Sequence, residues 1–245
     1  MYFINSNFPL NVFGVIIPTS METVRELLSH KMLDYLEKGV MYRISKPLIG
    51  DSVLPTSHAA WAKQRPLVEK GFAHEVVGNA VPRAVGVVNQ LANTWEVDAI
   101  KYQNNKVQNI EEDMLKLTMD VIGKAAFGFD FHSVTSDVAP LYQPFQTILH
   151  GLQRRGQLLH EHIFRFLPTE KNRKLNEALA KLNDCVDSIL QSRREESIEQ
   201  KAARTEDFLD HLMASDLSQK LIKDNIKTLL FAGMFDHLYL DFTLN

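Results

Sequence analysis

The chain has 245 residues, 45% of them hydrophobic and 23% charged, with a formal net charge of −3. That length holds one large domain or two small ones, and the balance is that of a globular protein rather than a disordered one. Lys and Arg are scattered among Asp and Glu without a basic arm, which argues against a nucleic-acid partner, and the single cysteine, Cys185, excludes an internal disulfide framework and a multi-cysteine zinc site.

The opening "MYFINSNFPL" has neither the basic start nor the apolar core of a secretory signal. The apolar run "VFGVII" at 12–17 is far short of the roughly 20 residues that a bilayer span requires. A soluble, intracellular chain without a transmembrane anchor is therefore expected. The run reads as a short strand ended by Pro18, and Thr19 with Glu22 makes a capping box for a helix whose buried stripe is Val24, Leu27 and Leu28. Residues 31–47 are weakly helical, and "LIGDSVLPTS" is a loop punctuated by Gly50, Pro55 and Ser57. Ser57 is placed to cap the next helix, which carries Trp61 and Arg65 and should kink at Pro66.

From 74 to 95 the apolar spacing is again helical, with Pro82 interrupting it, and "NNKVQ" reads as an exposed turn. "IEEDMLKLTMDVIGKAAFG" predicts an amphipathic helix with Met114, Leu117, Val121 and Ala125 on its apolar side and Gly128 at its end. Residues 130–169 mix short helical pieces with loops. The strongest periodicity follows, with Leu175, Leu179, Leu182, Val186 and Ile189 stepping by four, three, four and three. The charged "QSRREESIEQKAAR" after it reads as a solvated helix end and linker. Two further helical segments lie around Phe208 to Met213 and Leu221 to Phe231. The fold class expected is mainly α with a small N-terminal β element.

Candidate motifs are sparse. There is no phosphate-binding glycine loop, no G-x-S-x-G elbow and no H-E-x-x-H. "HEH" at 160–162 offers two imidazoles without a third ligand and reads as surface, so no metal site is assigned. Glu170 and Arg173 read as a helix-start ion pair, and Cys185, beside Val186, as a small buried thiol. Trp61 and Arg65 stand four apart, hence on one helical face, where an indole N–H and a guanidinium fork can meet one carboxylate. Taken alone, that pair reads rather as a half-buried tryptophan beside a solvated arginine.

Its neighbours add to that reading. "WAKQR" followed by Phe72 resembles the C-helix motif of the cytochrome P-450 superfamily, W-x-x-x-R with a later aromatic. "VIIPTSMETVRELL" resembles the family's first strand entering the B-helix, and "LTMDVIGKAAFGFDFHSV" its E-helix. "LNDCVDSILQSRREE" resembles the G-helix, and "EDFLDHLMASDLSQKLIKDNIKTLLFAG" the H-helix running into the I-helix. The pieces keep the family's order and spacing over residues 12–233. The resemblance implies a partial P-450 fold, helices B to I, as a single incomplete domain over 1–245, with 234–245 a divergent tail. It also implies haem as cofactor, with Trp61 and Arg65 contacting the haem propionates. The implied activity is insertion of one oxygen atom from O2 into a lipophilic small molecule, with electrons from NADPH through a separate reductase. The E-helix wording is like that of eukaryotic branches acting on fatty acids or carotenoids.

The likeness ends inside the I-helix motif, A/G-G-x-D/E-T-T/S, whose acid and hydroxyl relay protons during oxygen activation. Ala232 and Gly233 match it, Met234 fills the free place, and Phe235, Asp236 and His237 stand where the acid and the hydroxyl residues belong. Asp236 comes one place late, which turns it about 100° around a helix. The sequence stops before the K-helix and the cysteine loop whose thiolate holds the family's haem iron. No intact catalytic set is therefore expected, and this chain alone should lack activity. A non-catalytic helical interaction module and a pseudogene product stay open as alternatives.

Overall fold

The computed structural model describes residues 2–5, 14–17, 19–26, 28, 40–102, 109–136, 141–156 and 166–244. "NNKVQ" and the histidines of "HEH" lie outside them. Strand β1 (Tyr2–Asn5) pairs antiparallel with β2 (Gly14–Ile17), Tyr2 opposite Ile17 and Asn5 opposite Gly14. The second strand lies within the predicted run; the first has no periodicity of its own to mark it.

Helix α1 (Met21–Arg25) is capped one residue later than expected: Ser20 accepts from the Thr23 N–H at 3.2 Å. It buries none of its residues, and Leu28, expected inside, is 61% exposed. Five residues are too few for a helical stripe to find a partner surface. Leu27 lies outside the described residues.

The other helices among the described residues are α2 (Val40–Ile49), α3 (His58–Lys70), α4 (His74–Lys101), α5 (Ile110–Phe127), α6 (Tyr142–Gly156), α7 (Glu170–Arg194), α8 (Ile198–Ala202), α9 (Phe208–Met213) and α10 (Gln219–Leu244). Pro66 lies inside α3, as its sequence predicts, whereas Pro82, expected to interrupt the pattern, sits within an unbroken α4. Each proline deprives the carbonyl four residues back of its N–H. Those carbonyls belong to Ala62 and Gly78, both exposed, where water can serve instead.

The principal core is assembled chiefly by α2, α5, α6, α7, α9 and α10. Met119, Phe127, Ile148, Leu175, Ile189, Leu209, Leu212, Ile226 and Leu230 are all at most 2% exposed. Helix α5 also has a second apolar face. Leu115, Met119, Ala126 and Phe127 enter the principal core, while Met114, Leu117 and Val121 pack with Val87, Leu91, Trp95 and Val134 in a smaller cluster against α4. The predicted stripe is the second of these faces, since both sides of α5 are covered. The α7 periodicity holds, with Leu175, Leu182, Val186 and Ile189 buried. At its start Glu170 pairs with Lys174 and Arg173 with Glu177, one turn on in each case, rather than with each other.

The charged stretch after α7 is no linker. The Arg193 side chain is 7% exposed and donates to Asp207 at 2.6 and 3.0 Å, to Asp210 at 2.8 Å and to the Phe127 carbonyl at 2.7 Å. Arg204 holds Glu196 and Asp210, and Arg83 reaches across from α4 to the Lys124, Ala125 and Thr205 carbonyls. Two arginines thus occupy the carbonyl end of α5, where helices leave acceptors unfilled. Gly128, in the left-handed conformation with φ +59°, ends that helix, and a Cβ there would come within 2.7 Å of Arg193 Nη2.

The last helix is covered along its apolar side: Ile226 and Leu230 are buried, and Ile222 and Leu229 pack on the core. Among the described residues an open apolar stripe lies on α4, where Val77, Val81, Val85 and Val88 repeat along one face, all about half exposed.

Candidate cofactor-facing helix and its anchor

Helix α3 buries two side chains, Gln64 and Val68. The chain enters it through Ser57, whose extended backbone makes it the N-cap residue, although its hydroxyl makes no capping bond to the helix. Trp61 is half-buried, and Arg65 is exposed with Glu69 as an ion-pair partner at 3.5 Å. The two predicted residues are therefore brought onto one side of α3, as their spacing requires. Such an exposed pair four residues apart is weak, about 0.3–0.5 kcal/mol, so Arg65 can exchange Glu69 for another carboxylate. Phe72, just past the helix, packs edge-on against Phe208 with ring centroids 5.1 Å apart. It serves the α3–α9 contact.

What holds α3 in place was not legible from the motif. Gln64, 3% exposed, donates from Nε2 to the Asp51 carbonyl at 3.0 Å and accepts at Oε1 from Asn225 Nδ2 at 3.2 Å. Asn225 accepts from the Val53 N–H at 3.1 Å, and its Nδ2 also donates to the Leu221 carbonyl at 2.8 Å. Beside it, Asp224 accepts from the Asp51 N–H at 2.9 Å, and the Thr228 and Ser52 hydroxyls share a bond of 2.6 Å. The turn between α2 and α3 is thus laced to α10. Lys220, bonded to the Asp51 carboxylate, and Lys46 hold that carboxylate below its usual range. One signal existed in the sequence: Asn225 stands four residues from both Leu221 and Leu229, inside an otherwise apolar stripe.

Ala232 is exposed, and Gly233 is half-buried against Ile122. They lie about 10 Å further along α10 than Asn225, at 1.5 Å per residue, and are not gathered with Trp61 and Arg65 by the bonds just described. The α10 backbone stays helical beyond Gly233 to Leu244; the Asp236 side chain is outside the described residues. Cys185 packs beside the core on α7, and burial pushes its thiol up to about 12. Among the described residues no cluster of three His, Cys, Asp or Glu is arranged to hold a metal ion, and no helix is long and apolar enough to cross a membrane.

A family model described as Cytochrome P450 matches residues 13–235. The chain belongs to the cytochrome P450 family. The P450 relatives include the chloroplastic cytochrome P450 97B1 of Pisum sativum, 24% identical over 232 residues, an alignment covering 85% of this chain and 41% of that protein. Cyclooctatin synthase of Streptomyces melanosporofaciens is 23% identical over 227 residues, covering 90% of this chain and 46% of the other. The chain thus spans less than half the length of these two relatives. The crystal structure of a cytochrome P450, CYP102L1, superposes with a TM-score of 0.66 at 22% identity over 80% of this chain and 45% of that one. The helical arrangement is that of part of a P450 fold.

As donors, an indole N–H and a guanidinium one turn apart fit the carboxylate arms of a haem. Cys185 is half-buried against the principal core on α7, with no metal-ligating cluster around it among the described residues.

Proposed function

We propose that this chain is the propionate-side part of a haem-dependent monooxygenase domain, with residues 12–233 forming the family-like body and 234–245 a divergent tail. In that reading Trp61 donates its indole N–H and Arg65 its guanidinium to the haem propionates, and Ala232 and Gly233 are the remnant of the oxygen-side helix motif. When bound, haem supplies the oxygen chemistry by which one atom of O2 enters a lipophilic substrate, with electrons delivered from NADPH by a reductase. The protein's part is to bind and orient the propionates and to keep α3 at a fixed height on α10. The observation that carries the reading is the placement of Trp61 and Arg65 on one side of a helix whose adjoining side, at Gln64 and Val68, is anchored in the core. By itself the chain is proposed to be inactive, since its one cysteine, Cys185, packs half-buried against the core on α7, away in sequence from the helix that carries Trp61 and Arg65.

Haemin titration of the purified chain tests this. Replacing Arg65 with Ala removes a charge-assisted contact worth roughly 1.5–3 kcal/mol, so haemin affinity should fall at least tenfold. Equal affinity at equal folded fraction would return Arg65 to an ordinary surface role. The reduced, CO-treated complex should show no thiolate signature; one that disappears in Cys185→Ala would refute the inactivity proposal. The second reading, a helical interaction module, is favoured by the α4 valine stripe, because continuous exposed apolar surface marks contact sites. A chain that binds no haemin yet self-associates through α4 would support it.

A further inference from the structure

Apolar contact is non-directional, so burying Val68 covers a face of α3 without fixing its rotation. Hydrogen bonds demand alignment, and Gln64 is the buried side chain of α3 that makes them. Each amide has its sense fixed by backbone. The Asp51 carbonyl requires a Gln64 N–H, the Val53 N–H requires the Asn225 oxygen, and the Leu221 carbonyl requires the Asn225 nitrogen. Turning either amide over would set donor against donor or acceptor against acceptor. The chain from α10 through Asn225 and Gln64 to the 51–53 turn therefore runs in a single sense.

Around the axis of α3, Gln64 stands about 60° from Trp61 and about 100° from Arg65. A rotation of about 10° moves a group some 6 Å from the axis by about 1 Å. That exceeds the few tenths of an ångström over which a charge-assisted bond keeps its strength. Gln64, whose side chain bonds to Asp51 and Asn225, acts on the adjoining face of Trp61 and Arg65 through the helix backbone.

We infer that Gln64, paired with Asn225 on α10, is a positioning residue that sets the rotation of α3 and so aims Trp61 and Arg65 at the haem propionates. The inference rests on the propionate reading of those two residues, and the test separates the two. Haemin is titrated into the full chain and followed by its Soret band and by quenching of tryptophan emission, with folded fraction read from thermal unfolding. Gln64→Met keeps the length of the side chain and removes both bonds. It should weaken haemin binding about tenfold at equal folded fraction, and the loss should be clearly smaller when Arg65 is already Ala, because only Trp61 is then left to be mis-aimed. An equal loss with and without Arg65 would make Gln64 a general structural residue and overturn the inference. Wild-type affinity in Gln64→Met, with Arg65→Ala weakened, overturns it as well while leaving the propionate reading intact. Wild-type affinity in Arg65→Ala removes that reading, and the inference with it. Should Gln64→Met not fold, Asn225→Leu breaks the same pair from α10 and is judged by the same comparisons.

Discussion

The Asp224 carboxylate fills the space in which a Cβ on Gly50 would stand: the three carboxyl atoms lie 2.1–2.2 Å from that position. Gly50 has φ +59° and ends α2, and the next residue gives Asp224 its N–H at 2.9 Å. Asp224 is 3% exposed and is also held by Lys227 at 2.8 Å. A missing side chain on one helix end thus admits a charged one from α10.

Gly50→Ala should accordingly destabilise the chain by roughly 3 kcal/mol, combining left-handed strain with loss of a bond to a buried charged group. Urea unfolding measures it. In an Asp224→Ala background the same substitution should cost only about 1–2 kcal/mol, the backbone part alone. An equal cost in both backgrounds would mean that the carboxylate yields without loss.

Arg193→Met leaves Asp207, whose side chain is fully buried, without its closest cation, and leaves the Phe127 carbonyl without its donor. Breaking such a pair from one side costs about 3–5 kcal/mol. Arg193→Lys should recover only part of it, since an ammonium cannot span Asp207, Asp210 and the carbonyl as a guanidinium does. Chemical denaturation of the two variants against wild type checks the order. Full recovery by lysine would reduce the site to simple charge balance.

Acid should act through Asp210. Burial pushes its carboxyl up, but the bonds from Arg204 and the Asp207 N–H, with the charges of Arg193 and Arg204, outweigh that and hold it well below the usual range. The unfolded chain therefore takes up this proton first as pH falls, so the stability is present above about pH 4 and is lost below it. For one group the slope approaches about 1.4 kcal/mol per pH unit. Asp210→Asn should be less stable at neutral pH, with a gap to wild type that narrows between about pH 4 and pH 2. A gap constant across that range would place the acid sensitivity elsewhere.

His58 enters α3 with φ +51°, in a region that L-residues with branched side chains avoid. His58→Val should be less stable than His58→Gly by more than about 1 kcal/mol, because only glycine takes up that φ without strain. Melting temperatures of the pair decide it; a more stable valine variant would show that the entry backbone rearranges freely.

Most of the helices could be read in the sequence because their determinants are local. The α7 stripe is a matter of three- and four-residue steps, and Gly128 ends α5 where its freedom of φ is needed. Trp61 and Arg65 share a side of α3 by spacing alone, and the ordered family-like segments were visible without coordinates. The tertiary structure alone decided which polar residues are structural. Asn225 meets Gln64 across 161 residues, and Arg193 meets the Phe127 carbonyl across 66. Such pairings leave no periodicity, and a backbone carbonyl carries no side-chain signature at all. Charge in "QSRREESIEQKAAR" therefore looked like solvation, when part of it closes the end of α5. Likewise α5 shows one stripe to a periodicity count but buries two faces, because α4 and the principal core approach it from opposite sides.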